Sequence, residues 1–262
     1  MQLLLQEFHG YCSDQNWRII FIQTNDRYQS EYAGIGLRKL LIGSDAVINL
    51  ETFTKDTIHN KYFRNIVNRF SKARFKFVIS RPPHSEKLLA DISSISASWL
   101  TLPHRKEWSF LTGRLDSSYL RQVTVFVLQD ASGAAQTFIN QLPSYKHGTA
   151  TIDLMRHRAD APPNSIDYLF ICLLRHLKAE GYKDFNLGMS PLDANPAQNE
   201  YAARLLNHSY RLANRFIGFQ GLHQFKAKYK PAWEPRYVWY QGGIHLLPQY
   251  GLAIFRLMHR PQ

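Results

Sequence analysis

Residues 149–189 read TATIDLMRHRADAPPNSIDYLFICLLRHLKAEGYKDFNLGM, and this stretch decides the fold class. Residues 149–155 are rich in β-branched and long apolar side chains and predict a strand. Ala161-Pro162-Pro163 then interrupts regular structure. Asn164 is a suitable helix N-cap, and Asp167 places a carboxylate at N3, where it favours the positive end of a helix. Ile166, Leu169, Phe170, Leu173, Leu174 and Leu177 follow at i, i+3, i+4, i+7, i+8 and i+11. That spacing makes one apolar stripe, and Gly181 fits the C′ position that ends it. Residues 185–189 predict a second strand. Strand, helix and strand in close succession point to an α/β architecture with short crossovers.

The same alternation extends outward. Strands are predicted at 18–22, 75–79, 123–128 and 137–142. A helix at 54–72 buries Ile58, Tyr62, Phe63, Ile66, Val67 and Phe70, and exposes Lys55, Lys61, Arg64, Arg69 and Lys72. Another, at 85–99, has Leu88, Ile92, Ile95 and Trp99 at core spacing. Two halves are expected, 1–105 and 106–262, meeting in Leu102-Pro103-His104-Arg105-Lys106. Both show the order strand, helix, strand, which suits a duplicated fold, although no sequence repeat is visible.

Composition narrows the function. The 262 residues are 45% apolar and 13% aromatic, which excludes disorder, collagen and coiled coil. Cys12 and Cys172 lack metal-ligand or redox spacing, so a reducing compartment is expected. The opening MQLLLQEFHG is not a signal peptide, and no apolar run is long enough to span a bilayer, so a cytoplasmic chain is expected. Thirty-two Lys and Arg against 20 Asp and Glu give +12, with a pI near 9.7. Such a surplus favours polyanionic partners, nucleic acid or an anionic membrane face, over ordinary solubility charge.

Three clusters offer chemistry. Asp153 and Arg156, in Asp153-Leu154-Met155-Arg156, sit where a strand end delivers side chains into a crevice. A surface ion pair would give the same pattern. Asn186-Leu187-Gly188-Met189-Ser190-Pro191-Leu192 breaks a strand at Gly188, either for close approach by a ligand or for a plain turn. The third cluster, residues 221–237, interleaves Lys226, Lys228 and Lys230 with Phe225, Tyr229 and Trp233, cations for phosphate beside faces for stacking. As a strand it would put the three lysines on one face. A solvated structural segment would look similar. Residues 54–76 add seven Lys or Arg against one Asp, a face for RNA or anionic lipid. There is no G-x-x-x-x-G-K-[ST] loop, G-x-S-x-G elbow or H-E-x-x-H, and the eleven histidines form no ligand set, so neither metal nor cofactor is expected.

Taken in order, these clusters resemble the catalytic domain of the multiple peptide resistance factor family, the aminoacyl-phosphatidylglycerol synthases. The matching stretches are GSDAVINLETF at 43–53, KEWSFLTGR at 106–114, and DLMR at 153–156 with Asp160-Ala161-Pro162 and Asp167 after it. LGMSPL at 187–192 and GLHQFKAKYKPAWEPRY at 221–237 complete the set. The likeness implies tandem acetyltransferase-like (GNAT) folds, mixed sheets flanked by helices. It implies transfer of an aminoacyl group, usually lysyl or alanyl, from charged tRNA to the glycerol hydroxyl of phosphatidylglycerol. The product lipid carries less negative charge and attracts cationic antimicrobial peptides less. A CoA donor is disfavoured independently, because no glycine lies between Asp153 and Asn164 to cradle a pyrophosphate.

On this resemblance Asp153, Arg156, Lys226 and Lys228 are the candidate catalytic residues. Asp153 or Asp167 is the candidate to hold the α-ammonium, and Arg156 to hold a phosphate. Lys226, Lys228 and Arg236 are candidates for the lipid phosphate, the tRNA 3′ end or the developing oxyanion. Gly188, Ser190, Trp233 and Glu234 complete the expected substrate site, and Lys61, Arg64, Arg69 and Lys72 the tRNA or lipid surface. Family members commonly carry a many-helix membrane domain before this part. The chain is therefore expected to be a stand-alone member or a fragment, reaching lipid by peripheral docking on the inner membrane face. Two rivals remain: a peptidoglycan precursor or protein as acceptor, and a basic module that binds membrane or RNA without catalysis.

Overall fold

The computed structural model describes residues 1–103, 105–107, 113–144, 146–191 and 219–258. Eight strands are described: β1 Ile20–Thr24, β2 Leu37–Asn49, β3 Lys76–Ser80, β4 Val125–Gln129, β5 Ala135–Leu142, β6 Thr149–His157, β7 Asp184–Pro191 and β8 Ala232–Gln241. The helices are α1 Gln2–Asp14, α2 Gln29–Gly34, α3 Leu50–Lys55, α4 Lys61–Lys72, α5 Glu86–Leu100, α6 Ser117–Leu120, α7 Ser165–Ala179, α8 Phe219–Ala227 and α9 Leu247–Met258.

Two compact units interleave along the sequence. The first is built from described residues within 1–46, 189–228 and 232–257, and the second from those within 47–188 and 229–231. Neighbouring strands run β1-β8-β2-β7 in the first and β2-β7-β6-β5-β4-β3 in the second, β2 and β7 contributing to both. Strands β3 to β6 are antiparallel, and β7 joins β6 in parallel. The architecture is the α/β class read from the sequence, mixed sheet flanked by helices. The halves at 1–105 and 106–262 concern fold repeats rather than compactness.

In the second unit β4 is the best-covered strand, because helices lie on both its faces. Val125 and Val127 join Leu89, Ile92 and Ile95 of α5 in one apolar cluster, while Phe126 meets His176 of α7 with ring centroids 5.9 Å apart. The alternation follows from the two-residue period of a strand. The apolar stripe of α7 is buried from Leu169 to Leu177, and Gly181 adopts φ +87° just past the helix, as its C′ position requires. In the first unit β1 and β8 pair antiparallel, Ile20 opposite Tyr240 and Phe21 opposite Trp239. Val238, Tyr240 and Tyr250 gather there with Ile20, Ile22, Leu40 and Ile42.

Four local expectations need correction. The helix expected over 54–72 is two, α3 and α4, because Asn60 takes extended geometry and its Oδ1 accepts the Phe63 N–H at 2.9 Å, starting α4 afresh. Tyr62 is 41% exposed rather than buried. Asn164 precedes α7 in the left-handed region, φ +66°, and its side chain caps no backbone N–H of the helix. Residues 221–237 are not one strand. Helix α8 runs to Ala227, Lys230 turns the chain at φ +52°, and β8 begins at Ala232, so the three lysines share no strand face.

Candidate functional site

Asp153 owes its position to a β-bulge. Gln141 pairs with Ile152 and Ile139 with Met155, so Asn140 alone stands opposite both Asp153 and Leu154. Asn140 is fully buried and fills the irregularity: its Oδ1 accepts the Leu154 N–H at 2.7 Å, and its Nδ2 donates to the Tyr119 hydroxyl at 3.3 Å. The bulge also explains how Asp153 and Arg156, three apart, avoid the opposite faces that strict alternation would give them. Parallel pairing of β6 with β7 covers only residues 149–151 against 184–186, so Asp153 lies just past the point where the ladder stops.

The Asp153 carboxylate is half-buried and has no hydrogen bond or ion pair among the described residues. Burial raises its pKa above the usual carboxylate range, opposed by the charge of Arg156. The backbone of Gly113 lies against it so closely that a Cβ there would meet Asp153 Oδ1 at 2.0 Å. Glycine at 113 is therefore set by the acid.

Arg156 is enclosed by side chains of the second unit. Its side chain is 3% exposed, and Nη1 is 2.7 Å from Glu107 Oε1. The same nitrogen donates to Ser96 Oγ, and the guanidinium lies over the Trp99 ring, 4.9 Å from its centroid. Glu107 also accepts the Leu115 N–H at 3.1 Å and faces Arg114 at 3.7 Å. Arg156 thus holds residues 107 and 113–115 against β6, and with them Gly113 against Asp153.

Asp167 is committed within the fold. It is buried, and its carboxylate accepts from the Tyr229 hydroxyl at 2.6 Å, the Tyr62 hydroxyl at 2.9 Å and Asn164 Nδ2 at 3.3 Å. Burial first, then the hydrogen bond to Asp167, pushes Tyr62 up to about 12, and Tyr229 rises well above its ordinary value for the same reasons. An acid so enclosed ties α4, α7 and residue 229 together.

In the first unit, Lys226 of α8 is buried, and Nζ donates to the Met189 carbonyl at 2.9 Å. Burial lowers its pKa to about 8, against the charge of Asp45. Ser190 is buried with Oγ 3.5 Å from His223 Nδ1, and His223 stacks on Trp233 with ring centroids 4.4 Å apart. Arg236 is held by two acids, Asp45 at 2.8 Å and Glu234 at 3.1 Å. Lys228 Nζ lies 4.1 Å from the Phe225 ring centroid. Gly188 takes φ +78° within β7, the backbone freedom expected of it. The sequence thus brings Lys226, Ser190, Trp233, Glu234 and Arg236 into one unit, and Asp153, Arg156 and Asp167 into the other.

On α4, Lys61, Arg64 and Lys72 are exposed as expected. Arg69 is exposed too, but its guanidinium donates to the Pro163 carbonyl and to Asn164 Oδ1. Among the described residues no His, Cys, Asp or Glu group is disposed to hold a metal, and no helix is long and apolar enough to cross a membrane.

Sequence reasoning missed Glu107, Asn140, Tyr119 and Asp45 as partners of the predicted residues. For Glu107 there was a signal, a single acid in the run His104-Arg105-Lys106-Glu107. For Asn140 the signal was weaker, an amide directly after Phe138 and Ile139, which asks for a partner if buried.

A family model described as phosphatidylglycerol lysyltransferase, C-terminal, matches residues 1–240. The phosphatidylglycerol lysyltransferase of Staphylococcus epidermidis is 32% identical over 241 residues, covering 91% of this chain and 28% of its own length. That of Bacillus subtilis is 33% identical over 246 residues, with the same coverage of 91% and 28%. The chain therefore spans 28% of the length of these curated relatives. The solved structure of L-PGS from Bacillus licheniformis superposes with a TM-score of 0.86 at 32% identity, covering 99% of this chain and 79% of that one.

Proposed function

Since the chain belongs to the phosphatidylglycerol lysyltransferase C-terminal family, we propose that it is the catalytic part of a transferase placing an aminoacyl group, lysyl foremost, on the glycerol hydroxyl of phosphatidylglycerol. The donor in this reading is aminoacyl-tRNA, which suits a charge of +12. The lipid hydroxyl oxygen attacks the ester carbonyl carbon and a tetrahedral intermediate forms. Its collapse breaks the bond to the ribose oxygen of the tRNA end, which leaves with the proton given up by the lipid hydroxyl. One ester replaces another, so no ATP is consumed. Docking on the anionic inner face of the membrane, and tandem acetyltransferase-like halves at 1–105 and 106–262, belong to the same proposal.

The observation that carries the assignment of roles is the Asp153 carboxylate, half-buried and uncommitted among the described residues beside the end of the β6–β7 ladder. A desolvated carboxylate attracts an ammonium group more strongly than an exposed one does. Asp153 therefore receives the α-ammonium of the aminoacyl group, and Arg156 acts through Glu107 and Gly113 to hold it there. Lys226, close to neutrality at about 8, is the cation nearest to a proton-transfer role in the first unit.

The test incubates purified protein with phosphatidylglycerol vesicles and tRNA charged with radiolabelled lysine or alanine, and follows label into the organic phase. Label in an aminoacyl lipid, sensitive to RNase added beforehand and lost in Asp153→Asn, is expected. Undiminished transfer by Asp153→Asn would remove the assignment of roles. Vesicle binding without transfer would favour a docking module, and label in a peptide acceptor the rival reaction.

A further inference from the structure

Arg64, Arg175 and His59 help to line one small notch of the second unit, with no acid among the lining residues. The notch holds about 110 Å³ and is lined by Ile58, His59, Arg64, Val67, Asn68 and Arg175. Arg64 and Asn68 come from α4, Arg175 from α7, and His59 from the turn before α4. Ile58 is buried and, with Val67, gives the notch an apolar floor. The side chain of neither Arg64 nor Arg175 makes a hydrogen bond or ion pair among the described residues. Two like charges lining a small space repel, and an anion seated between them relieves the repulsion. The volume equals about three or four waters at roughly 30 Å³ each, room for one tetrahedral oxyanion. Two arginine forks and an asparagine amide supply donors that fit such an oxyanion.

The setting of the notch selects the kind of phosphate. Lys61, Arg64, Asn68 and Lys72 fall at helical spacing along one exposed face of α4, a stripe about 16 Å long at 1.5 Å per residue. A helix that docks on lipid must turn its apolar side outward. Here Phe63, Ile66 and Phe70 are buried inside the unit, and the half-exposed Tyr62 has its hydroxyl bound to Asp167. The face offers charge and hydrogen-bond donors without an apolar surface to insert.

We propose that this notch seats one backbone phosphodiester of an RNA, with Lys61 and Lys72 meeting phosphates on either side. It rests on the tRNA-donor reading above and extends that reading to Arg175, His59 and Asn68, while removing Arg69 from the surface.

The probe is fluorescent tRNA, titrated by anisotropy against the full chain over a range of KCl, with co-sedimentation on phosphatidylglycerol vesicles in parallel. The double variant Arg64→Gln/Arg175→Gln is compared with a charge-matched control, Lys87→Gln/Lys146→Gln, both positions exposed and distant in sequence from the notch. The notch variant should weaken tRNA binding about tenfold and lower the slope of log K against log salt by roughly 0.7–0.9, the share of one phosphate contact. The control should lose less than half of that, vesicle binding should be unchanged by the notch variant, and unfolding midpoints should match. Equal losses in the two variants would overturn the proposal, as would a loss confined to vesicles, which would make the notch a lipid site. If wild-type protein transfers label from charged tRNA while the notch variant binds tRNA normally, the notch alone fails. If wild-type protein neither binds tRNA nor accepts label from it, the donor reading fails and takes the notch with it.

Discussion

Changing Glu107 to Gln tests whether Arg156 is a brace or a substrate ligand. Arg156 is 3% exposed and Glu107 24% exposed, with 2.7 Å between Nη1 and Oε1. Removing one partner of a fully buried pair costs about 3–5 kcal/mol, because the remaining charge loses its compensation. Partial solvent access at Glu107, and the amide oxygen that Gln retains for Arg156, bring the expected loss to about 2–3 kcal/mol. In a chain of this size that is a fall in unfolding midpoint of roughly 4–10 °C. Replacing both partners by apolar side chains, Glu107→Leu with Arg156→Met, should restore most of the loss, since no charge is then left buried. Thermal unfolding of the single and double variants gives a coupling energy of about 2 kcal/mol if the two side chains act as one brace. Lysyl transfer supplies a second readout. A brace predicts a lower kcat for Glu107→Gln, because Gly113 and Asp153 lose their alignment. An Arg156 that binds phosphate, once released from Glu107, predicts a lower KM instead. Additivity within about 0.5 kcal/mol together with that lower KM would refute the brace.

Four further outcomes follow from the same geometry. Burial raises the Asp153 pKa, so the native protein holds that proton to higher pH than the unfolded chain, and the group's contribution to stability falls as pH rises above about 3.9. Asp153→Asn should therefore melt above wild type at pH 7 and converge with it at the acid end of a pH series, although transfer is lost. Lys226, at about 8 when folded against 10.5 ordinarily, leaves the unfolded state with more protons between those values, so its contribution to stability rises with pH across that window. Lys226→Met should be more stable than wild type at pH 7, and the difference should shrink by pH 10 in denaturant titrations. Gly43→Ala sets a Cβ 2.4 Å from the Ser190 backbone carbonyl and should cost about 1–3 kcal/mol. Gly113→Ala first meets the movable Asp153 carboxylate, and should reduce kcat while leaving the melting temperature nearly unchanged.

What the sequence disclosed tracks how local the determining interactions are. Helix α7 and its flanking strands were legible because their signals, a proline stop, an apolar stripe and a C′ glycine, lie within a few residues of the elements they shape. Strand β2 was not, since Gly43, Ser44 and Asp45 interrupt its apolar pattern, and its place depends on pairing with β7 far along the chain. Strand β8 was hidden by Pro235 and by the lysines before it, which suit a loop or a charged edge as well. Asp153 could be singled out from DLMR, but its freedom from partners could not, nor could the bulge, which needs Asn140 from the neighbouring strand. For Arg156 and Asp167 the sequence shows a charge without its structural counterpart. Glu107 lies 49 positions before the arginine, and Tyr229 lies 62 positions after the aspartate.

The contact of Tyr229 with Asp167 bears on the order in which the protein is made. Tyr229 is almost wholly buried among Phe53, Phe63 and Phe170, all of the second unit, yet it follows the rest of that unit's described core by about forty residues of synthesis. A nascent chain that has emerged only to residue 188 has a vacancy the size of a phenol ring in its aromatic core, and an acid beneath it lacking a hydroxyl. Domains generally fold as units during translation, amino-terminal part first. Here that order is broken: the second unit must wait, partly open, for a side chain encoded about forty codons after the rest of its core. Ribosome-bound chains in which residue 229 is still inside the ribosome should therefore differ sharply in resistance to protease from chains from which it has emerged.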